Sequence, residues 1–205
     1  MTNPHFNIFF FVAAALMMLG TSLPYESEWT LKRTDDGMTV YTRDREGSDI
    51  KQVKLVMKVD ADIEKINEVL IDASRQTEWV FKCTEAKDLG GQIETGWYYY
   101  SRIALPWPMD DRDLVAKVVG ASDHGYYTSK SIAAPNHHPL VEDCVRITDF
   151  DVFTEYHALT DSTTQMIYEL HSEPGGSVPS WLVNLFVDRG PVETMSKLRD
   201  LVESN

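Results

Sequence analysis

Basic residues are scarce in this chain, and their scarcity excludes one large class of partners. The 205 residues include 19 Lys and Arg against 32 Asp and Glu, for a formal net charge of −13. Nucleic-acid binding requires clustered Lys and Arg that neutralise phosphates. We therefore set nucleic acid aside as a partner. We also expect no permanent adhesion to an anionic membrane, while transient membrane contact stays open.

Cysteine is rarer still, since Cys83 and Cys144 are the two that occur. Two cysteines make neither a disulfide framework nor a zinc site. They could pair if the protein is exported, but two separate, partly buried thiols are the favoured interpretation.

The motifs of common catalytic sites are also missing from the sequence. There is no glycine-rich phosphate loop, no G-x-S-x-G elbow and no H-E-x-x-H motif. His137 and His138 are adjacent in a proline-bounded loop and point apart, so solvated histidines are favoured over a metal site. Acidic residues surround Arg112, which favours a solvated strand start over a metal-binding cluster. The residues therefore indicate no metal site and no catalytic residue.

An apolar run of twelve residues, Ile8 to Leu19, lies near the N-terminus and is followed by small residues up to Ser22. Twelve residues are too few for a membrane span, which needs about 20, and suit the central region of a signal peptide. We predict a signal peptide over residues 1–22 and export to the periplasm or the exterior, although the segment before the run lacks Lys and Arg. A membrane anchor formed by the uncleaved segment and a buried N-terminal helix are the alternatives.

The rest of the chain alternates between strand and helix patterns. Asp36-Gly37 lies between two alternating runs and predicts a hairpin, and residues 51–59 predict a third strand. Residues 60–75 show helical spacing behind Asp60 or Asp62 as the N-cap. The further predicted strands cover about 82–89, 94–104, 112–120, 126–134, 145–156 and 163–172.

The C-terminal segment 177–205 has the apolar spacing of an amphipathic helix, with a predicted bend near Gly190-Pro191. A strongly curved antiparallel sheet with this helix across its concave face would bury both apolar surfaces in one domain. Such a sheet cannot easily fill its interior with side chains alone. The pattern therefore predicts an α+β fold with an internal cavity.

Five stretches carry a resemblance to a known family. They are GMTVYTR (37–43), DASRQTEW (72–79), PWPMDDRDLV (106–115), CVRITDF (144–150) and TQMIYELHSEPGGSVPSWLVNLFV (164–187). Together they resemble the START domain, the steroidogenic-acute-regulatory-related lipid-transfer fold of the helix-grip, or Bet v 1-like, superfamily. The last stretch is the most specific, through Thr164, Tyr168, Glu173, Gly176, Val178-Pro179 and Asn184.

The resemblance spans residues 27–203 and implies a helix-grip fold, in which a strongly curved antiparallel sheet wraps around a long C-terminal helix and encloses an apolar cavity. It also implies binding, with or without transfer, of a single lipid or other hydrophobic molecule, without a cofactor or covalent chemistry. The alternatives are a cyclase-like or hydrolase-like enzyme of the same superfamily and a ligand-sensing interaction module. The oligomeric state stays open, with a monomer favoured.

Strand alternation and the lid helix then predict the ligand-binding side chains. They are Trp97, Tyr99, Ser101, Ile103, Arg112, Leu114, Ala116, Val118, Met166, Tyr168, Leu170, Trp181, Leu182, Leu185 and Phe186. Arg146 resembles a recurrent family arginine and is included as a candidate for a polar ligand head, with a structural carboxylate as its alternative partner. Trp107 is predicted to plug the cavity rim, in preference to contacting a membrane or ligand.

One departure from the family bears on the ligand. Several sterol-binding members carry an acid–arginine pair inside the cavity, and the corresponding positions here are Tyr99 and Val118. An apolar cavity with phenols avoids the several kcal/mol that each buried charge costs. We therefore expect a largely apolar ligand with one hydroxyl or carbonyl, bonded by Tyr99 or Tyr168.

Overall fold

An antiparallel sheet dominates the computed structural model, which describes residues 27–204; the predicted signal peptide lies outside them. The strands are β1 (Thr30–Asp35), β2 (Met38–Arg45), β3 (Ser48–Val59), β4 (Cys83–Gln92), β5 (Gly96–Ile103), β6 (Asp111–Asp123), β7 (Tyr126–Ala133), β8 (Cys144–Arg146), β9 (Phe150–Thr160) and β10 (Thr163–Ser172). The helices are α1 (Ile63–Leu70), α2 (Gln76–Trp79), α3 (Ser180–Leu185) and α4 (Arg189–Glu203).

Nine of these strands form one continuous antiparallel sheet in the order β1-β2-β3-β10-β9-β7-β6-β5-β4. The sheet curves around the C-terminal helix, which confirms the predicted α+β helix-grip architecture. The predicted hairpin turn is present, and Asp36 and Gly37 adopt φ values of 48° and 70°. Both central residues of a type I′ turn need this left-handed backbone, which Asp and Gly tolerate.

The single strand predicted over 145–156 is wrong, because the structure divides it. β8 covers Cys144–Arg146 and pairs in parallel with β6, whereas β9 begins only at Phe150. The alternation of apolar residues does not reveal that the first three residues pair with a different strand from the rest. The division therefore could not be predicted from the sequence.

The predicted helix over 60–75 is shorter in the structure. α1 begins at Ile63, and the Asp62 carboxylate accepts a hydrogen bond from the Lys65 backbone N–H at 2.7 Å. This N-cap satisfies one of the free N–H groups of the first turn. A 3₁₀ turn over Ala73–Arg75 and the short helix α2 then lead to β4.

The predicted single C-terminal helix is also divided. α3 ends at Leu185 and α4 starts at Arg189, so the break precedes Gly190-Pro191 rather than coinciding with it. Pro191 lies in the first turn of α4, where a missing N–H removes no helical hydrogen bond. Proline therefore marks the beginning of a helix here and not a bend within one.

The main hydrophobic core lies where α1 and α4 pack on the inner face of the sheet. Its most completely buried members include Val40, Leu55, Ile66, Met166 and Leu198. These side chains come from β2, β3, β10 and both helices, and they fill this part of the interior. No helix within residues 27–204 combines the length and apolarity needed to cross a bilayer.

Candidate ligand-binding cavity

Beside this core the curved sheet encloses a cavity of about 650 Å³. Its walls come from β3, β5, β6, β7, β9 and β10, from helices α1 to α4 and from the loop that joins β5 to β6. Ile71, Pro106, Met109 and Phe186 line the cavity and are also exposed to solvent. These four residues mark its mouth.

Most of the side chains predicted for the site line this cavity. Those that do are Trp97, Tyr99, Ser101, Ile103, Arg112, Leu114, Val118, Tyr168, Leu170, Leu182 and Phe186. The inner faces of β5 and β6 therefore follow the predicted alternation, and Tyr99 and Val118, the two positions of the family's charged pair, are both on the wall. The other five predicted residues lie elsewhere.

Ala116 and Met166 were placed on the correct strand faces but do not reach the cavity. Ala116 is fully buried beside Leu114 and Ile147, because its single methyl group is shorter than the neighbouring side chains. Met166 is buried in the main core with Leu198 of α4. An inward strand face covers both core and cavity, and alternation alone does not separate them.

Trp181 and Leu185 were predicted in the roof of the cavity, and this prediction is wrong. Their side chains are 69% and 60% exposed, whereas Leu182 and Val183 of the same helix line the cavity. Successive helical residues turn by about 100°. This rotation places Leu182, Val183 and Phe186 on the cavity side of the turn, and Trp181 and Leu185 on the opposite side.

Arg146 does not face the cavity, so the structural alternative holds for it. Its guanidinium forms a two-pronged ion pair with Asp113, with Nε–Oδ1 and Nη2–Oδ2 distances of 2.9 and 2.7 Å. Further donors reach the backbone carbonyls of Pro135, His138 and Pro139. Because both charged side chains are almost completely buried, this pair fastens the loop after β7 to the back of β6.

Arg112 lies at the cavity wall, where three of its five N–H donors bond to protein carbonyls. Nε donates to the Pro174 carbonyl at 2.6 Å, and the two terminal nitrogens donate to the carbonyls of Asp110 and Gly175. The guanidinium thereby holds the segment that leads into α3. Arg112 is 5% exposed, and these contacts give it a structural role.

The plug predicted for Trp107 is also wrong. Its side chain is 92% exposed, and it is absent from the cavity wall, whereas its neighbours Leu105, Pro106 and Met109 line the wall. The apolar loop therefore turns its smaller residues to the cavity and its largest ring to the solvent.

Sequence reasoning missed the part of the wall that β7 and β9 supply. The missed side chains are Tyr127, Ser129, Ser131, Val152, Thr154 and Tyr156. They alternate in both strands, and the register pairs Tyr127 with Tyr156 and Ser129 with Thr154. The same period-two argument that succeeded for β5 and β6 would have found them.

The polar groups of the wall are mostly neutral. Lys51 and Arg112 are its charged members, and no Asp, Glu, His or Cys lines the cavity within the described chain. The Ser101 hydroxyl donates to the side-chain oxygen of Gln76. Cys83 and Cys144 are free thiols whose pKa values burial raises. Residues 27–204 contain no cluster of His, Cys, Asp and Glu that could hold a metal.

The curved sheet, the C-terminal helix and the cavity between them define a helix-grip protein. The family model described as the START domain matches residues 18–205, so the chain belongs to the START domain family. The resemblance carried by the five sequence stretches is thereby confirmed. An uncharacterised protein of Pseudomonas aeruginosa is 30% identical over 192 residues, covering 93% of this chain and 94% of that protein.

Solved structures agree with this assignment. A STAR-related lipid transfer protein from Xanthomonas axonopodis (fragment 25–204) is 27% identical with a TM-score of 0.78, covering 85% of this chain and 98% of that chain. Human STARD10, at 20% identity and a TM-score of 0.76, covers 85% of this chain and 72% of that chain. At that identity the likeness concerns the fold.

Proposed function

We propose that the chain binds one lipid-sized hydrophobic molecule in the cavity and carries it through water without covalent chemistry. The observation that carries the proposal is the cavity of about 650 Å³, which lies within the range of small-molecule sites and has a mainly apolar wall. Membership of the START domain family and the likeness to the lipid transfer protein of Xanthomonas axonopodis support the same ligand class.

The composition of the wall argues for binding rather than catalysis. Proton transfer and nucleophilic attack usually require a His, Cys, Asp or Glu side chain beside the substrate. The described part of the wall has none, and its tyrosines are held protonated because burial raises the pKa of Tyr99 and Tyr168. These neutral phenols can orient a ligand but are poor bases at neutral pH.

The short helix α3 lines the cavity and can serve as a cover that opens for ligand exchange. Asn184 accepts a hydrogen bond from the Lys51 backbone N–H at 2.9 Å and donates to the Asp49 carbonyl at 2.7 Å. These two bonds join α3 to the N-terminal end of β3. Because α3 has few residues and no buried ones, we infer that Asn184 is the latch of this cover.

Exposed apolar side chains beside the mouth support transient membrane contact as part of the function. Trp107 lies on the β5–β6 loop, and Trp181, Leu185 and Phe186 lie on or beside α3, all more than half exposed. Aromatic side chains favour the membrane–water interface. Because the net charge is −13, we expect uncharged membrane surfaces to be favoured over anionic ones. Contact through these side chains would direct the mouth of the cavity towards the bilayer.

Export with cleavage of residues 1–22 remains part of the proposal, with anchoring by the uncleaved segment as the alternative. The support is the short apolar run and the small residues that follow it. Fractionation combined with the mass of the mature chain decides it. A soluble exported chain lacking the first 22 residues is expected, and a full-length chain in the membrane fraction would show the anchor instead.

A fluorescent lipid tests the binding function directly. Titration into the purified protein is expected to give saturable binding of one lipid per chain, together with transfer between vesicles. Absence of uptake under conditions in which the protein is folded would refute the proposal.

A further inference from the structure

Four tyrosines line the cavity, and they differ in whether their hydroxyl groups have a hydrogen-bond partner in the protein. Tyr127 and Tyr156 have side-chain partners, Ser129 and Thr154 respectively. Tyr99 on β5 and Tyr168 on β10 have no hydrogen-bond partner within residues 27–204. Both keep accessible surface, and both line the cavity. Their phenolic donors are therefore accessible from the cavity.

These two phenols come from opposite walls of the cavity. In the sheet order, β10 and β5 are separated by β9, β7 and β6, and the curvature brings the outer members of this set to face each other. Both side chains line the same cavity. The two hydroxyls can therefore contact one bound molecule from two sides.

Neither hydroxyl is among the buried polar atoms that lack a partner, so each is accessible from the cavity. A ligand that covers such a donor without offering an acceptor leaves it unsatisfied, at a cost of about 1–3 kcal/mol for each group. A ligand with a carbonyl oxygen can accept a hydrogen bond and avoid this cost. A hydrocarbon of the same shape would leave both donors unsatisfied.

The charges of the wall indicate that this acceptor is neutral. Arg112 pairs with Ile103, four residues along β5 from Tyr99, and Lys51 lies on β3 four residues from Leu55, the strand partner of Tyr168. Four residues of a strand span about 13 Å, so neither cation lies beside the phenols to compensate a buried anion. A carboxylate or phosphate at this depth would lose several kcal/mol of hydration without a counterion.

We propose that Tyr99 and Tyr168 form a paired donor site for the uncharged polar end of the ligand, whose acceptor oxygen is of the ketone, ester or amide type. The site deepens the proposed lipid-binding function and rests on it. It assigns a polar end to the ligand and places that end between β5 and β10.

The test is a competition experiment on the full chain with two matched probes, a long-chain ketone and the alkane of equal chain length, each displacing a fluorescent lipid. The variants are Tyr99→Phe, Tyr168→Phe and the double variant. Each single variant is expected to weaken ketone binding by roughly 3- to 10-fold and to leave alkane binding unchanged or improved. The double variant is expected to lose the preference for the ketone.

Tyr98→Phe is the matched control, because Tyr98 faces away from the cavity on the same strand and stacks on His137 with a ring separation of 3.7 Å. It should bind both probes as the wild type does. Equal affinity of the wild type for ketone and alkane, or a preference that persists in the double variant, would overturn the paired donor site while leaving lipid binding intact. A wild type that binds neither probe nor fluorescent lipid would refute the proposed function as well.

Discussion

The interior that the sheet encloses has two halves: one is packed with side chains, and the other contains the cavity. In the packed half, α1 and α4 cover β2, β3 and β10, and the main core joins residues such as Leu55, Ile66 and Leu198. In the hollow half, the walls of β5 and β6 carry only small clusters, one around Trp97 and Val118 and another around Leu114. Both halves have alternating apolar strands. The side chains of α1 and α4 fill the first half, whereas those of α2, α3 and α4 that line the second leave the cavity open.

The hollow half obtains support from behind the wall instead. Asp113 and Arg146 form their buried ion pair on the back of β6, and Arg112 holds the segment before α3 through backbone carbonyls. These polar contacts thus tie the wall to neighbouring loops, where a filled interior would supply apolar packing. The wall of the cavity is thereby supported although the interior beside it is not filled.

The largest expected effect comes from removing that outer support. Arg146→Ala leaves Asp113 buried and unpaired, and we expect the free energy of unfolding to fall by about 3–5 kcal/mol. Urea denaturation measures the change. Arg102→Ala is the control, because its pair with Asp111 is partly exposed and such pairs contribute about 1 kcal/mol or less. Similar small losses for both variants would contradict the role given to Arg146.

Matched truncations sharpen the contrast between the two halves. Leu198→Ala creates a new cavity in the packed half, and we expect a loss of about 2–5 kcal/mol in unfolding free energy. Leu170→Ala removes methyl groups that already face empty space, so a loss of about 1 kcal/mol is expected. Calorimetric unfolding of the ligand-free proteins gives both values. An equal loss at the two positions would mean that the hollow half is packed in solution.

The sequence predicted the inner faces of β5 and β6 because alternation is a local property. It did not separate Met166, which is in the core, from Tyr168, which is on the cavity wall. That distinction depends on where α4 lies across the sheet, and no local pattern contains this information. Arg146 illustrates the same limit, since its partner Asp113 is on a distant strand and is brought near by the parallel pairing of β8.

A charge on the cavity wall is the third test. Val118→Glu places a carboxylate against the apolar cavity at a cost of several kcal/mol, and lipid affinity is expected to fall at least about 30-fold. Lys117→Glu alters the opposite face of the same strand and should change affinity by less than about 2-fold. Titration with a fluorescent lipid reports both, with circular dichroism to verify folding. Equal effects would show that the cavity face of β6 is wrongly assigned.

The exposed ring at the mouth is expected to have a moderate effect that depends on membranes. Trp107→Ser should reduce partitioning to uncharged vesicles by roughly 10-fold, because an apolar ring no longer enters the interface. Lipid binding without vesicles should be unchanged. Leu140→Ser is the control, since Leu140 is 78% exposed on the loop that Arg146 holds behind the sheet. Loss of partitioning in both variants would indicate nonspecific adhesion.

The latch is expected to affect the rate of ligand exchange more than any equilibrium. Asn184→Ala removes two hydrogen bonds to β3, each with a net contribution of about 1 kcal/mol. Stopped-flow release of a fluorescent lipid should accelerate roughly 5- to 30-fold, while global stability falls only slightly. An unchanged release rate would mean that α3 does not limit exchange.

Native mass spectrometry of the protein purified from its own host tests the central claim most directly. The account predicts a complex of one chain with one lipid-sized molecule, recovered by solvent extraction as a neutral compound with a carbonyl or ester group. A protein that is consistently empty, and that also fails to take up fluorescent lipid, would contradict it.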